Sequence, residues 1–187
     1  MISLSQLWLP IVLGAVTVFV TSSLVHMVFK WHNSHYKPFA NEDEVRAAIR
    51  KGAPAPGHYV VPYCLDMKQA QSPEMVQKFN DGPIGHFFIG PNGPANIGKH
   101  LGAWFVLSLV IAFLAAYIAA HALPAGAAPM QVLRVIWTIG FLAYGAGPVM
   151  DGIWHGRPRS EVVLDLLDAL IYGASTAAPF ALLWPHA

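Results

Sequence analysis

Glu161, Asp165, Asp168, Tyr172 and Ser175 follow one another at spacings of four, three, four and three. On a helix those spacings put all of them on one face. The segment that carries them runs into apolar sequence, and Asp168 lies about 9 Å along it from Val162 at ~1.5 Å per residue. A carboxylate at that depth is costly against lipid, so the stripe is expected to face the inside of a helix bundle. Other ionisable residues fall at the same end of their segments. His26 and Ser22 come one and two turns before Lys30, His100 follows Lys99, Asp151 and His155 are four apart, and Arg157 and Arg159 immediately precede the stripe. The candidate polar cluster is therefore His26, His100, Asp151, His155, Arg157, Arg159, Asp165 and Asp168.

Two chemistries compete for this set. In the structural one, the acidic residues favour the N-terminus of their own helix, and Asp165 pairs with an arginine to orient the bundle. In the functional one, His26, His100, Asp151, His155 and Asp168 build a proton-linked, metal or haem site. The chain has nine histidines, and His26, His32, His35 and His100 are its candidate metal ligands. A b-type haem needs two histidines at similar depth on different helices, a condition His26 and His100 meet. The sequence contains no HExxH, no paired CxxC and no phosphate-loop spacing. Gly82-Pro83-Ile84-Gly85 and Gly90-Pro91-Asn92-Gly93 read as turns. Cys64, with His58 nearby, reads as a lone thiol rather than a Cys/His nucleophile.

Four apolar stretches position these residues: about 8–29, 101–123, 131–150 and 162–184. Each is close to the ~20 residues that carry an α-helix across ~30 Å of hydrocarbon. Composition agrees. Hydrophobic residues make up 55% and charged residues 11% of the 187-residue chain, where a soluble domain carries roughly 25% charged. The expected fold is an all-α membrane protein of four transmembrane helices with a small mixed α/β insert between the first two. The net charge of +1 gives no basis for a nucleic-acid partner. With a single cysteine, no intrachain disulfide forms. The first apolar run is preceded by no basic residue and is too long for a signal peptide, so it is expected to remain as a span.

Ten of the eleven Lys and Arg residues lie on the side of residues 30–99 and 151–161; Arg134 is opposite, one turn into the third span. Within 31–98 six basic residues face six acidic ones, so the orientation rests on Lys30, Lys37, Lys99, Arg157 and Arg159 near the span ends. The positive-inside rule makes their side cytoplasmic and both termini external in a bacterial inner membrane. Trp8, Trp104, Trp137, Trp154 and Trp184 near span ends suit interfacial belts. Ala115 with Ala119, Ala116 with Ala120, Ala143 with Gly147, and Gly173 with Ala177 are small residues four apart, a spacing that lets helices approach closely.

The insert, 31–99, is expected to hold a helix from Asn41 to Gly52, a strand over His58–Tyr63 that Pro62 confines to an edge, and a helix capped by Ser72 with Pro73 first. A second extended run follows at Ile84–Ile89. Its apolar content is too small for a core of its own.

The plan resembles small bacterial four-helix membrane proteins of the group known as domain of unknown function 1761. The residues that carry the resemblance are Ala116-Tyr117 in the second span, Gly140-Phe141 in the third, the turn Gly156-Arg157-Pro158, and the closing Leu182-Leu183-Trp184. It covers the first span and the last ~90 residues by helix length, and it implies a topology and no activity. From the residues alone, the expected function is that of a non-enzymatic accessory or interaction subunit of a membrane complex, in contact with lipid and with membrane partners or other copies of itself. A haem- or metal-binding protein is the alternative. A proton- or ion-coupled carrier acting as an oligomer is a further one.

Overall fold

A computed structural model describes residues 2–186. The regular elements in chain order are α1 (Trp8–Leu24), α2 (Glu42–Lys51), β1 (Gly57–Val61), α3 (Met67–Ala70), α4 (Pro73–Asp81), β2 (Gly85–Ile89), α5 (Ile97–Ala122), α6 (Pro129–Trp154) and α7 (Arg159–Leu183). A 3-10 turn, Leu4–Leu7, leads into α1, and a π turn, Val25–Phe29, continues it. Among the described residues, four helical runs are long and apolar enough to span a bilayer: Leu4–Phe29, Ile97–Ala122, Pro129–Trp154 and Arg159–Leu183. They are the four spans expected, and the protein is a mostly helical, polytopic membrane protein. All four begin before the corresponding apolar stretch, and the third also ends beyond it, because polar residues continue or cap the helices. Asn96 Oδ1 accepts from the Lys99 amide at 3.0 Å to start α5, and α6 carries on through Asp151.

The chain divides after Tyr36 and again before Asn96, so Lys37–Ala95 is one unit and the rest the other. The insert is therefore shorter than 31–99 at both ends. Residues 31–36 belong with the membrane helices, and Asn96–Lys99 begin α5.

Lys37–Ala95 has the order foreseen. Asn41 caps α2, although its side chain donates to Glu44 Oε2 at 3.0 Å rather than accepting from the helix backbone. Acidic residues fill the first turn and Arg50 and Lys51 the last, as the helix dipole favours. β1 and β2 pair antiparallel from Gly57↔Ile89 to Val61↔Gly85, and β1 stops before Pro62, which has no amide to donate. Ser72 Oγ accepts from the Met75 amide at 3.3 Å, with Pro73 opening α4. The short α3, capped by Asp66, was not foreseen. Among the described residues of this unit only Met75 is buried, in line with its low apolar content.

In the membrane unit the half bearing the chain termini is apolar and closely packed. Leu7, Ile11, Ala112, Ala115, Ala116, Ala119, Val132, Ile136, Ala177 and Phe180 are buried together. α6 and α7 meet at Gly140 and Gly173: a Cβ built on Gly140 would lie 2.9 Å from Gly173 Cα, and one on Gly173 would lie 3.0 Å from the Trp137 carbonyl oxygen. Ala115, Ala116, Ala119, Ala120, Gly173 and Ala177 are thus consumed inside the chain, and Ala143 with Gly147 remains exposed. Three of the five tryptophans also turn to neighbouring segments. Trp104 Nε1 donates to Ser22 Oγ at 2.9 Å, Trp137 Nε1 to the Leu170 carbonyl at 3.0 Å, and Trp184 Nε1 to the Pro124 carbonyl at 3.0 Å. Trp8 and Trp154 are left exposed, as a belt residue requires.

Candidate metal site at the polar end of the bundle

The other end of the bundle is built differently. After Leu24 the helix widens into the π turn, in which the Lys30 amide donates to the Val25 carbonyl at 3.1 Å. Such turns concentrate at functional sites because they redirect side chains. Lys30 then takes a left-handed conformation, φ 54°, which costs an L residue roughly 1–2 kcal/mol. The effect is to send the 3-10 turn Trp31–His35 back over α7.

That strap lands on the acidic stripe. His32 Nε2 lies 2.7 Å from Asp168 Oδ2, Trp31 Nε1 donates to Asp168 Oδ1 at 3.2 Å, and the Tyr172 hydroxyl donates to Asp168 Oδ2 at 3.2 Å. The carboxylate is buried, 8% exposed, and both of its oxygens are occupied. The other face of the imidazole meets different groups: His32 Nδ1 is 3.2 Å from His35 Nδ1 and 3.7 Å from Asp165 Oδ1. His35 Nε2 is buried without a hydrogen-bond partner among the described residues. The His26 ring stands 4.8 Å from that of His32. One ligand atom each from His26, His32 and Asp168 falls within 4.8 Å of the others, as does one each from His32, His35 and Asp165.

Arg157 closes the acidic side. Its Nε donates to Glu161 Oε2 at 3.1 Å and its Nη1 pairs with Asp165. Burial works against the guanidinium charge, but Asp165 and Glu161 outweigh it and hold the pKa above its ordinary value. Counted without the histidines, Glu161, Asp165 and Asp168 against Arg157 leave the cluster two negative charges in excess.

Beside the cluster lies a cavity of about 640 Å³. Its polar lining includes His26, His100, Arg157, Asp165 and Asp168, and its apolar lining includes Leu101, Leu107 and Ile111. Ala143 and Pro148 of α6 border it as well.

Of the eight residues of the expected polar cluster, His26, Asp165 and Asp168 come together, with Arg157 paired to Asp165. His100 shares the cavity with them. Asp151 and His155 pair with each other at the end of α6, 3.0 Å apart, and neither borders the cavity. Arg159 is exposed at the start of α7. Of the candidate metal ligands, His32 and His35 prove more central than His100. Trp31 was missed: it reads as the first insert residue, and only the π turn and the left-handed Lys30 carry it to Asp168. The Cys64 thiol donates to the Asp66 carbonyl at 3.3 Å, while His58 pairs with His86 at 2.9 Å.

No family model, no curated protein and no solved structure matches the chain.

Proposed function

We propose that this polytopic membrane protein binds one divalent transition-metal ion, with His26, His32 and Asp168 as ligands. The observation that carries the reading is the approach of two imidazoles and a carboxylate, from two segments far apart in sequence, to within 4.8 Å. Metal–ligand bonds of about 2.0–2.2 Å put neighbouring ligand atoms roughly 3.4 Å apart, so side-chain shifts of about 1 Å close the set. The ion would take the place of the proton between His32 Nε2 and Asp168, leaving the ring's one N–H on Nδ1. His32 Nδ1–H would then donate toward His35 or Asp165, and Trp31 and Tyr172 would hold the carboxylate. Such outer partners fix the orientation of metal ligands. Two histidines and a carboxylate suit zinc or iron(II), and a divalent charge balances the two excess negative charges.

Elemental analysis and Zn²⁺ titration of the purified protein test this. About one ion per chain is expected, lost in His32→Ala. A protein that carries no metal from replete cells and takes up none at micromolar concentration overturns the reading. A haem absorption band would move it to the cavity, where His26 and His100 both lie.

An accessory or interaction subunit is the second reading. It is favoured by Ala143 and Gly147, the one small-residue pair of the four that is left exposed. Kinship with the four-helix group of domain of unknown function 1761 fits either reading and assigns no activity. For location we infer a bacterial inner membrane with Lys37–Ala95 on the cytoplasmic side, supported by Lys30, Lys99, Arg157 and Arg159 at the ends of the spans they flank.

A further inference from the structure

The three proposed ligands do not surround an ion. His35 and Asp165, the nearest additional donors, stand against Nδ1 of His32, on the opposite edge of the ring from the Nε2 that faces Asp168. Asp165 is further committed to Arg157. Neither reaches the Nε2 side without breaking the contacts it holds. His26 and Asp168 both border the cavity, as Asp165 does, so two of the three proposed ligands open onto it. Metal sites with three protein ligands and a vacant position exchange ligands with their surroundings, whereas structural sites are closed by four.

Resting on the metal reading above, we propose that the ion keeps one coordination position open to the cavity, and that the cavity receives an amphiphile whose neutral lone-pair donor, oxygen or nitrogen, fills that position. The charge of the cluster selects the donor. A divalent ion already balances Glu161, Asp165 and Asp168 against Arg157, so a neutral head group adds no net charge at a membrane end, where uncompensated charge is costly. The walls select the rest of the molecule. Leu101, Leu107, Ile111 and Ala143 offer apolar lining, and ~640 Å³ is within the usual range for small-molecule sites.

The test uses the full chain in lipid nanodiscs, loaded with Co²⁺, whose visible bands report its coordination. Imidazole is the minimal neutral donor and 1-octylimidazole the same donor with an apolar tail. Both are expected to shift the cobalt bands. Ala143→Trp fills part of the cavity without touching a proposed ligand, and Leu101→Trp fills it from α5. Either is expected to raise the half-saturating concentration of 1-octylimidazole at least about tenfold, since several displaced methylenes suffice for that factor. The response to imidazole should stay within about twofold on the same reasoning. Absence of cobalt bands would remove the metal reading itself. Bands that neither probe shifts would show a closed site and overturn the open position. A shift by both probes that is unaffected by either tryptophan variant would overturn the cavity as the receiver.

Discussion

His32 Nε2 and Asp168 Oδ2 lie 2.7 Å apart although 136 positions separate them in the chain. Asp168 also accepts from Trp31 and Tyr172, so one carboxylate fastens the strap that follows the first span to the middle of the fourth. Replacing it with leucine strands three donors in a buried setting, at about 1–3 kcal/mol for each unsatisfied group. Asp168→Leu should lower unfolding stability by about 3 kcal/mol or more, whereas Asp168→Asn keeps one acceptor oxygen and should lose less. Trp31→Phe removes one bond and should cost about 1 kcal/mol. It should weaken Zn²⁺ binding about tenfold if Trp31 supports a ligand. Denaturant titration in mild detergent, with Zn²⁺ titration alongside, reads both quantities.

The contact between α6 and α7 admits a comparison at constant chemistry. A Cβ on Gly173 would sit 2.8 Å from Trp137 Cδ1 and 3.0 Å from the Phe141 amide nitrogen, and backbone cannot step aside. One on Gly147 would meet nothing within 4 Å. Gly173→Ala should therefore destabilise by about 1–3 kcal/mol. Gly147→Ala should be neutral or stabilising by up to about 1 kcal/mol, because alanine orders more readily in a helix. Equal losses in the two variants would mean that Gly147 is covered by another chain, which would favour the interaction-subunit reading.

Arg157 joins Glu161 and Asp165, and its raised pKa fixes the sign of any pH effect. A base whose folded pKa is raised stabilises below its unfolded pKa and loses that contribution only above the folded one. For an arginine both values lie beyond the working range. The bridge should then be indifferent to alkaline titration, and Arg157→Gln should lower the unfolding midpoint by the same amount at neutral and at mildly alkaline pH. The loss should be about 1 kcal/mol, because the pair is partly solvated. A deficit that shrinks as pH rises would show that Arg157 is not the partner that matters.

The sequence made the spans legible because lipid leaves a backbone few options. Runs of apolar residues at the right length encode helices almost without tertiary context. Asp165 and Asp168 were legible for a related reason, since their spacing and depth force them inward. The strap was not. It depends on an i→i+5 turn at Val25–Phe29 and on a left-handed Lys30, and a lysine there gives none of the warning that a glycine would. His32 and His35 consequently read as members of a surface insert. The small-residue pairs were visible as packing faces, but periodicity does not say whether the neighbour is the same chain or another. That Asp165 pairs with an arginine was legible; that the arginine is Arg157 rather than Arg159 depends on the geometry of the turn at Gly156, φ 67°, which no spacing records.

Cys64 is placed to report the orientation of the chain in the membrane. It is the one cysteine of the chain, it lies in the Lys37–Ala95 unit, and its thiol is a half-buried donor to the Asp66 carbonyl. Lys30, Lys99, Arg157 and Arg159 flank three different spans at one end of the bundle, and Arg157 and Arg159 belong to a short connection, where basic residues orient most strongly. If they decide the topology, the insert is cytoplasmic and Cys64 stays a reduced thiol. A membrane-impermeant maleimide should then leave it unmodified in intact cells and modify it in inverted vesicles. Brief detergent permeabilisation serves as the control for a thiol that its fold conceals. A C-terminal alkaline phosphatase fusion should be active and a green fluorescent fusion dark. Labelling in intact cells together with a fluorescent C-terminus would place the insert outside. An ion bound at the proposed His26, His32 and Asp168 site would then come from the external medium rather than from the cytoplasm.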